Sequence, residues 1–225
     1  MGSRSRWLLL CALAPSLAVA EPRAYRVASV SEGSKAEAVV SYSLGTHLQT
    51  AQEIHGQLML DPTTLASASG TVVLPIAGIH GDGGTRDCHM REALGIDYAR
   101  SRFPQEHVCD GDRLPATGPD SIAFPEIRLE VLSAKPLDDL ALLEAGKPVR
   151  VEVEARWTIH GVTHSTRELT RALRDGAAFH VRGRSAVELA DHHVVVKATK
   201  VLFSEIKVAD AVTVTYDLRL VPASP

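Results

Sequence analysis

From Val149 to Ile159 the chain alternates without a break. Val149, Val151, Val153, Ala155, Trp157 and Ile159 share one parity, and Arg150, Glu152, Glu154, Arg156 and Thr158 the other. A period of two over this length predicts a strand with one buried and one wet face. His160-Gly161 follows. Glycine takes a positive φ without steric cost and histidine tolerates one better than most residues, so the pair predicts a two-residue turn and a tight hairpin. The returning arm runs from Val162 to about Leu173.

A two-residue turn fixes the register: Ile159 opposite Val162, Trp157 opposite His164, Ala155 opposite Thr166. His164, Thr166 and Glu168 then share the face of Val153, Ala155, Trp157 and Ile159. Either this face carries a polar patch inside the fold, where Glu168 needs a partner such as His164 or an arginine, or a bulge rotates the returning arm, or the arm is washed by solvent near a rim. Charged side chains are rarely buried, which favours the rim.

Similar patterns recur along the chain. β-prone runs cover Ala36–Leu44, His47–Leu60 and Ser67–Ile79, and strands resume at Ile122 with Ile127, Leu129 and Val131 on the apolar parity. Leu137–Leu143 reads as a turn or brief helix, Asp175-Gly176 as a turn, and Val194–Phe203 as a further extended run. Phe179, Val181, Gly183, Ser185, Val187 and Leu189 share a face, as do Val212, Val214, Tyr216, Leu218 and Leu220 at the end. About eight strands with short links predict an up-and-down barrel or a sandwich, and one apolar face per strand suits a closed barrel. No internal repeat or low-complexity tract interrupts them.

Between about 80 and 120 the character changes. Thr85–Leu94 predicts one short helix with Thr85 as its N-cap. A stretch rich in Pro, Gly and Asp follows, a long excursion of the kind that usually carries function or loose order. Cys88 and Cys109 flank part of it. They are the two cysteines left in an exported chain, which favours a disulfide closing a loop of about 20 residues, worth roughly 3 kcal/mol by chain entropy.

Residues 1–20 predict a cleavable signal peptide: Arg4 and Arg6, an apolar stretch from Trp7 to Ala14, and Ala18-Val19-Ala20 before Glu21. The stretch is too short to span a bilayer, and Pro15 interrupts it. Leu10 before Cys11 is too large for lipoprotein processing. The expected location is the periplasm, with residues 21–225 forming one domain and no stable membrane insertion. Losing Arg4 and Arg6 takes the formal charge from −3 to −5. No basic stripe marks a nucleic-acid partner.

Candidate chemistry is sparse. The 10 histidines include no H-x-H or H-E-x-x-H. The adjacent His192 and His193 would point to opposite faces of a strand, so no metal site is expected. No serine sits in G-x-S-x-G, and neither cysteine has a catalytic context. Asp87 and His89 lie in one helical turn without facing each other, which suits capping or loop anchoring, or a gate formed by Arg86 and Asp87. An acid–base enzyme drawing on His164, Glu168, Asp87 and His89 is one alternative reading, and a packed structural domain without ligand is another.

Thr158-Ile159-His160-Gly161-Val162-Thr163 resembles the T-I-H-G-V-T signature of the YceI-like family of exported bacterial proteins. Arg86-Asp87-Cys88-His89-Met90-Arg91, followed by Phe103-Pro104, resembles that family's R-D-x-H-L segment. Phe124 and the strand from Val212 to Leu220 fall where the family has its fourth and last strands, and the similarity covers roughly residues 25–222. The Cys88–Cys109 pair and the stretch around 105–120 are not family hallmarks. The family's Ser-Asp-Phe/Tyr-Gly segment is matched only by Asp191 within Leu189–His193.

The resemblance implies an all-β, eight-stranded antiparallel up-and-down (lipocalin-like) barrel that holds a polyisoprenoid or isoprenoid-quinone-like lipid. This is a carrier rather than an enzyme, and it needs no other cofactor. The expected lining is Leu58, Phe124, Trp157, Ile159, Phe179, Val181 and Leu218, with Arg86 and His89 near the mouth. A homodimer is left open. Aromatics are only 4% of the chain, so the interior would be mostly Val, Leu, Ile and Ala, which suits a flexible aliphatic chain or a dry core equally.

Overall fold

The structure, a computed structural model, describes residues 21–81, 83–101, 114–196, 199–201 and 204–223. The expected signal peptide, Phe103-Pro104 and Cys109 lie outside the described residues. In chain order the strands before the helix are β1 (Arg23–Val27), β2 (Lys35–Tyr42), β3 (Gly45–Ala51), β4 (His55–Leu60), β5 (Ser69–Pro75) and β6 (Ile79–His80). Helix α1 (Thr85–Gly95) precedes β7 (Glu126–Pro136), and the brief α2 (Ala141–Glu144) precedes β8 (Val149–Ile159). β9 (Val162–Asp175), β10 (Ala178–Glu188), a small hairpin of β11 (Thr199–Val201) and β12 (Ser204–Ile206), and β13 (Val208–Pro222) complete the chain.

These strands close into an antiparallel barrel of 8 positions. Three adjacent positions are each filled by a broken strand. β13 pairs with β1 near its end and with β2 before that, while β4 and β3 pair with β1 and β2, and β5 and β6 with β4 and β3. β7, β8, β9 and β10 follow as unbroken neighbours, and β10 returns to β13. The topology is therefore up-and-down, as the alternation predicts.

The breaks explain where the sequence expectation differs. The run His47–Leu60 is split because Gln52 leaves the ladder to donate its N–H to Gly78 O at 2.7 Å, at the level where β5 also gives way to β6. Ala28, Ile54 and Ile76 are buried at the three breaks. β1 lies before the first run the sequence suggests, because only Tyr25 and Val27 of its residues are buried and two positions make no pattern.

The opening hairpin folds as expected. Ile159 pairs with Val162, Trp157 with His164, Ala155 with Thr166 and Val153 with Glu168. His160 and Gly161 have φ of 51° and 75°, both positive as a type I′ turn requires. Helix α1 forms where predicted, with Gly84 rather than Thr85 at the N-cap. Its backbone there (φ 64°, ψ −135°) lies in a region that a β-carbon disfavours. His192 ends a 3-10 turn and His193 has φ 55°, so neither sits on the strand the sequence suggests.

At the lower end of the barrel Leu65, buried with φ 56°, joins the core from a loop held by Asp61. The Asp61 carboxylate accepts from the Thr63 hydroxyl (2.6 Å), the Thr63 N–H (2.8 Å) and the Thr64 hydroxyl (2.9 Å), and these bonds hold its pKa below the usual carboxylate value. Tyr25 meets Phe179 edge-on at 5.6 Å nearby. No helix among the described residues is long and apolar enough to cross a membrane.

Candidate functional site

The upper end is capped by α1. His160 reaches out of the hairpin turn to donate from Nε2 to Ile96 O, just past the helix, at 2.6 Å. The rings of Tyr98 and Phe124 pack on its imidazole at 4.7 and 4.5 Å. The Tyr98 hydroxyl also donates to Val195 O at 3.0 Å, tying the helix exit to the segment after β10. Burial raises the pKa of this phenol well above its ordinary value.

Asp87 anchors the other end of the helix. Buried to 1% exposure, it accepts from the Gly81 N–H at 2.9 Å and faces His80 at 3.6 Å. The expected loop-anchoring role is therefore what the geometry provides. Arg86 lines the cavity beneath the helix and Asp87 does not.

Beneath α1 lies a cavity of about 520 Å³. Its walls are mainly apolar: Ala36, Ala38 and Val40 from β2, Leu74, Ile127, Trp157 and Ile159, and Val187, Val212 and Val214. Val40, Ile127 and Val214 pack against the core yet keep accessible surface where they border this space. Arg86, His89, Met90 and Glu92 of α1 line one side of the mouth, and Tyr42 and His47, stacked at 4.5 Å, line another. His89 Nδ1 lies 2.8 Å from the Oε2 of the buried Glu92.

Gln49 also lines the cavity. It is 6% exposed and its Oε1 has no hydrogen-bond partner. A buried amide oxygen without a donor is costly in an empty cavity and suited to a ligand that carries one.

A second space of about 80 Å³ occupies the lower barrel, lined among others by Leu58, Val131, Phe179, Val181 and Leu218. Between the two runs a polar layer. Glu168, 5% exposed, accepts at Oε1 from Trp157 Nε1–H and from the Ser185 hydroxyl, both at 2.8 Å, and at Oε2 from the Tyr216 hydroxyl at 2.6 Å. Three neutral donors satisfy a buried carboxylate without a cation. The Tyr216 pKa is raised far above the ordinary range, first by burial and then by the Glu168 carboxylate, so the phenol stays a donor.

The rim expectation thus holds for His164, which is exposed, and fails for Glu168. The partners are Trp157, Ser185 and Tyr216, not His164 or an arginine. His164 meets His192 instead, edge to face at 5.0 Å. Burial lowers the His192 pKa, opposed by the ring's bond to Val162 O.

The residues expected to line one tunnel therefore divide. Trp157, Ile159, Arg86 and His89 border the upper cavity, and Leu58, Phe179, Val181 and Leu218 the lower space. Phe124 borders neither, because it packs over the hairpin turn, where a β-carbon on Gly161 would lie 2.7 Å from its Cε1. Sequence reasoning missed Gln49 and Glu92, since a polar residue within a strand or short helix carries no sign of facing inward. Cys88 is fully buried on α1. Among the described residues no group of His, Cys, Asp and Glu could hold a metal ion. His164, Glu168, Asp87 and His89 are spread over separate surroundings and form no single cluster.

No family model matches the sequence, and no curated protein matches it. Solved structures do match in fold. A polyisoprenoid-binding domain from Saccharophagus degradans, implicated in plant cell wall breakdown, superposes with a TM-score of 0.60 at 15% identity, over 89% of this chain and 99% of that one. Burkholderia cenocepacia BcnA gives 0.55 at 16%, over 83% and 95%, and a Campylobacter jejuni YceI protein gives 0.52 at 10%, over 79% and 85%. What these proteins share with the chain is its fold.

Proposed function

We propose that this chain belongs to the YceI-like family and is an exported carrier that holds an isoprenoid or similar apolar lipid beneath α1. The observation that carries this reading is the 520 Å³ cavity with its mainly apolar wall. Filled cores of this kind pack to crystal density, so an unfilled space of this size is a place for a guest. A tail hiding about 400 Å² of apolar surface gains roughly 10 kcal/mol at ~25 cal/mol per Å². That is enough to offset much of the association cost without a specific polar contact. The polyisoprenoid-binding domain of like fold supports a lipid as the occupant.

The signal peptide, the periplasmic location and a Cys88–Cys109 disulfide belong to the same proposal, since an exported chain meets an oxidising compartment. Native mass spectrometry after gentle extraction from the exporting cell tests it. The expected spectrum shows a chain starting at Glu21, lighter than the reduced mass by two hydrogens, with a co-purifying lipid. A chain that stays ligand-free and takes up no added lipid would sink the carrier reading. Turnover lost on His89→Ala or Glu92→Gln would favour an enzyme in its place.

A further inference from the structure

We infer that the Glu168 layer is a floor that sets the length of the ligand, so that this barrel selects a short linear lipid rather than one threading its whole interior. The inference rests on the carrier reading above and deepens it.

The floor is built from four strands at one level. On β8, Ile159 and Trp157 border the upper cavity while Ala155 and Val153 border the lower space. On β13 the change comes between Val214 and Tyr216, on β7 between Ile127 and Leu129, and on β5 between Leu74 and Val72. Glu168 and its three donors sit at that level, reaching across from β8, β9, β10 and β13.

Gly183 makes room for it. It pairs with Tyr216, and a β-carbon there would lie 2.3 Å from the Tyr216 Cζ and hydroxyl oxygen. The ring therefore lies over a position with no side chain, and its hydroxyl reaches inward to the carboxylate. An aliphatic tail that displaced this layer would leave a carboxylate and three donors unpaired in a dry interior, which no hydrocarbon contact compensates.

The two spaces set the length. At about 30 Å³ per packed heavy atom, the share a water molecule takes in its liquid, the 520 Å³ cavity admits roughly 17 heavy atoms and the 80 Å³ space about three. The class of ligand is accordingly a linear lipid with three to four isoprene units inside the barrel. Any longer portion lies outside the mouth, where it gains little.

The test is a competition series on the full mature chain, using prenyl alcohols of two, three, four, six and nine isoprene units against a fluorescent fatty-acid probe. Affinity is expected to rise at least about tenfold per unit up to four units, given the transfer free energy of each buried methylene. It then stays flat within about threefold. Val181→Phe, which fills the space below the floor, leaves the series unchanged. Glu168→Ala with Tyr216→Val, which removes the floor, moves the plateau beyond four units. Wild-type affinity that climbs from four to nine units, or long prenols weakened by Val181→Phe, overturns the inference while leaving the carrier reading intact. No binding at any length instead defeats the carrier reading. Should the double variant fail to fold, the wild-type and Val181→Phe series decide alone.

Discussion

Replacing Tyr216 by Phe removes one oxygen from the barrel interior and nothing else. That oxygen donates to Glu168 Oε2 at 2.6 Å, and no other donor among the described residues reaches Oε2. Hydrogen bonds to charged groups contribute roughly 1.5–3 kcal/mol, and a buried charge that loses one bears the full desolvation penalty. The Tyr216 phenol is held protonated well above its ordinary range by burial and the Glu168 carboxylate, so the donor is intact throughout the neutral range. A loss of about 2–3 kcal/mol is therefore expected, and in a domain of this size each kcal/mol lowers Tm by roughly 2–4 °C.

Glu168→Leu alone should cost a similar amount, because it orphans Trp157 Nε1–H, the Ser185 hydroxyl and the Tyr216 hydroxyl together. Combining Glu168→Leu with Tyr216→Phe removes acceptor and donor at once, so the pair should cost less than the sum of the singles by more than about 1 kcal/mol. Urea unfolding measures each term, with a constant m-value showing that the folded and unfolded surfaces are unchanged. If Tyr216→Phe lies within about 0.5 kcal/mol of the parent, or the double variant is additive within that margin, then the layer is not held by these bonds.

Three further changes probe other parts of the fold. Gly161→Ala should destabilise by about 1–2 kcal/mol in urea, because alanine is strained at φ 75° and its β-carbon would meet Phe124 Cε1 at 2.7 Å. An unchanged midpoint would mean that the clasp at the hairpin turn has slack. Asp138, bonded to the Arg150 guanidinium and N–H, has its pKa lowered to about 2. A depressed carboxylate contributes stability above its unfolded value of about 4 and loses it as pH falls towards the folded value, so Asp138→Asn should lower stability at pH 7 and flatten the acid limb between pH 4 and 2. A parallel acid limb in the variant would refute it. Gln49→Leu removes the buried amide oxygen that has no partner and should stabilise the ligand-free protein by about 1 kcal/mol, while weakening any ligand that donates to it. A destabilised Gln49→Leu would show that the amide is satisfied.

The hairpin illustrates how far the sequence alone reaches. Alternation on β8 and the His160-Gly161 pair are local signals, so strand, turn and register all follow from a few adjacent residues, and the structure has them residue for residue. The broken strands were not legible, because Gln52 leaves its ladder for Gly78, an exchange between segments that the local pattern does not record. The same limit applies to the helix cap, which falls at Gly84, one residue before the position the sequence suggests.

Glu168 marks the boundary between the two kinds of information. Register alone placed it on the inner face, opposite Val153. What makes that position tolerable is a hydroxyl 17 residues away on β10 and another 48 residues away on β13, brought to one point only when the barrel closes. Read from the sequence, Glu168 has His164 or an arginine as a partner, and the rarity of buried charge favours the rim. Yet the clue was present in the strands read as apolar. Ser185 interrupts the inward face of β10, Gly183 leaves a gap on it, and Tyr216 puts a hydroxyl on the inward face of β13. Each alone is an ordinary exception to an alternating pattern. When closure sets all of them at the level of Glu168, the exceptions become one structure. Inward-facing polar residues on a barrel are therefore best read around the ring rather than along the strand.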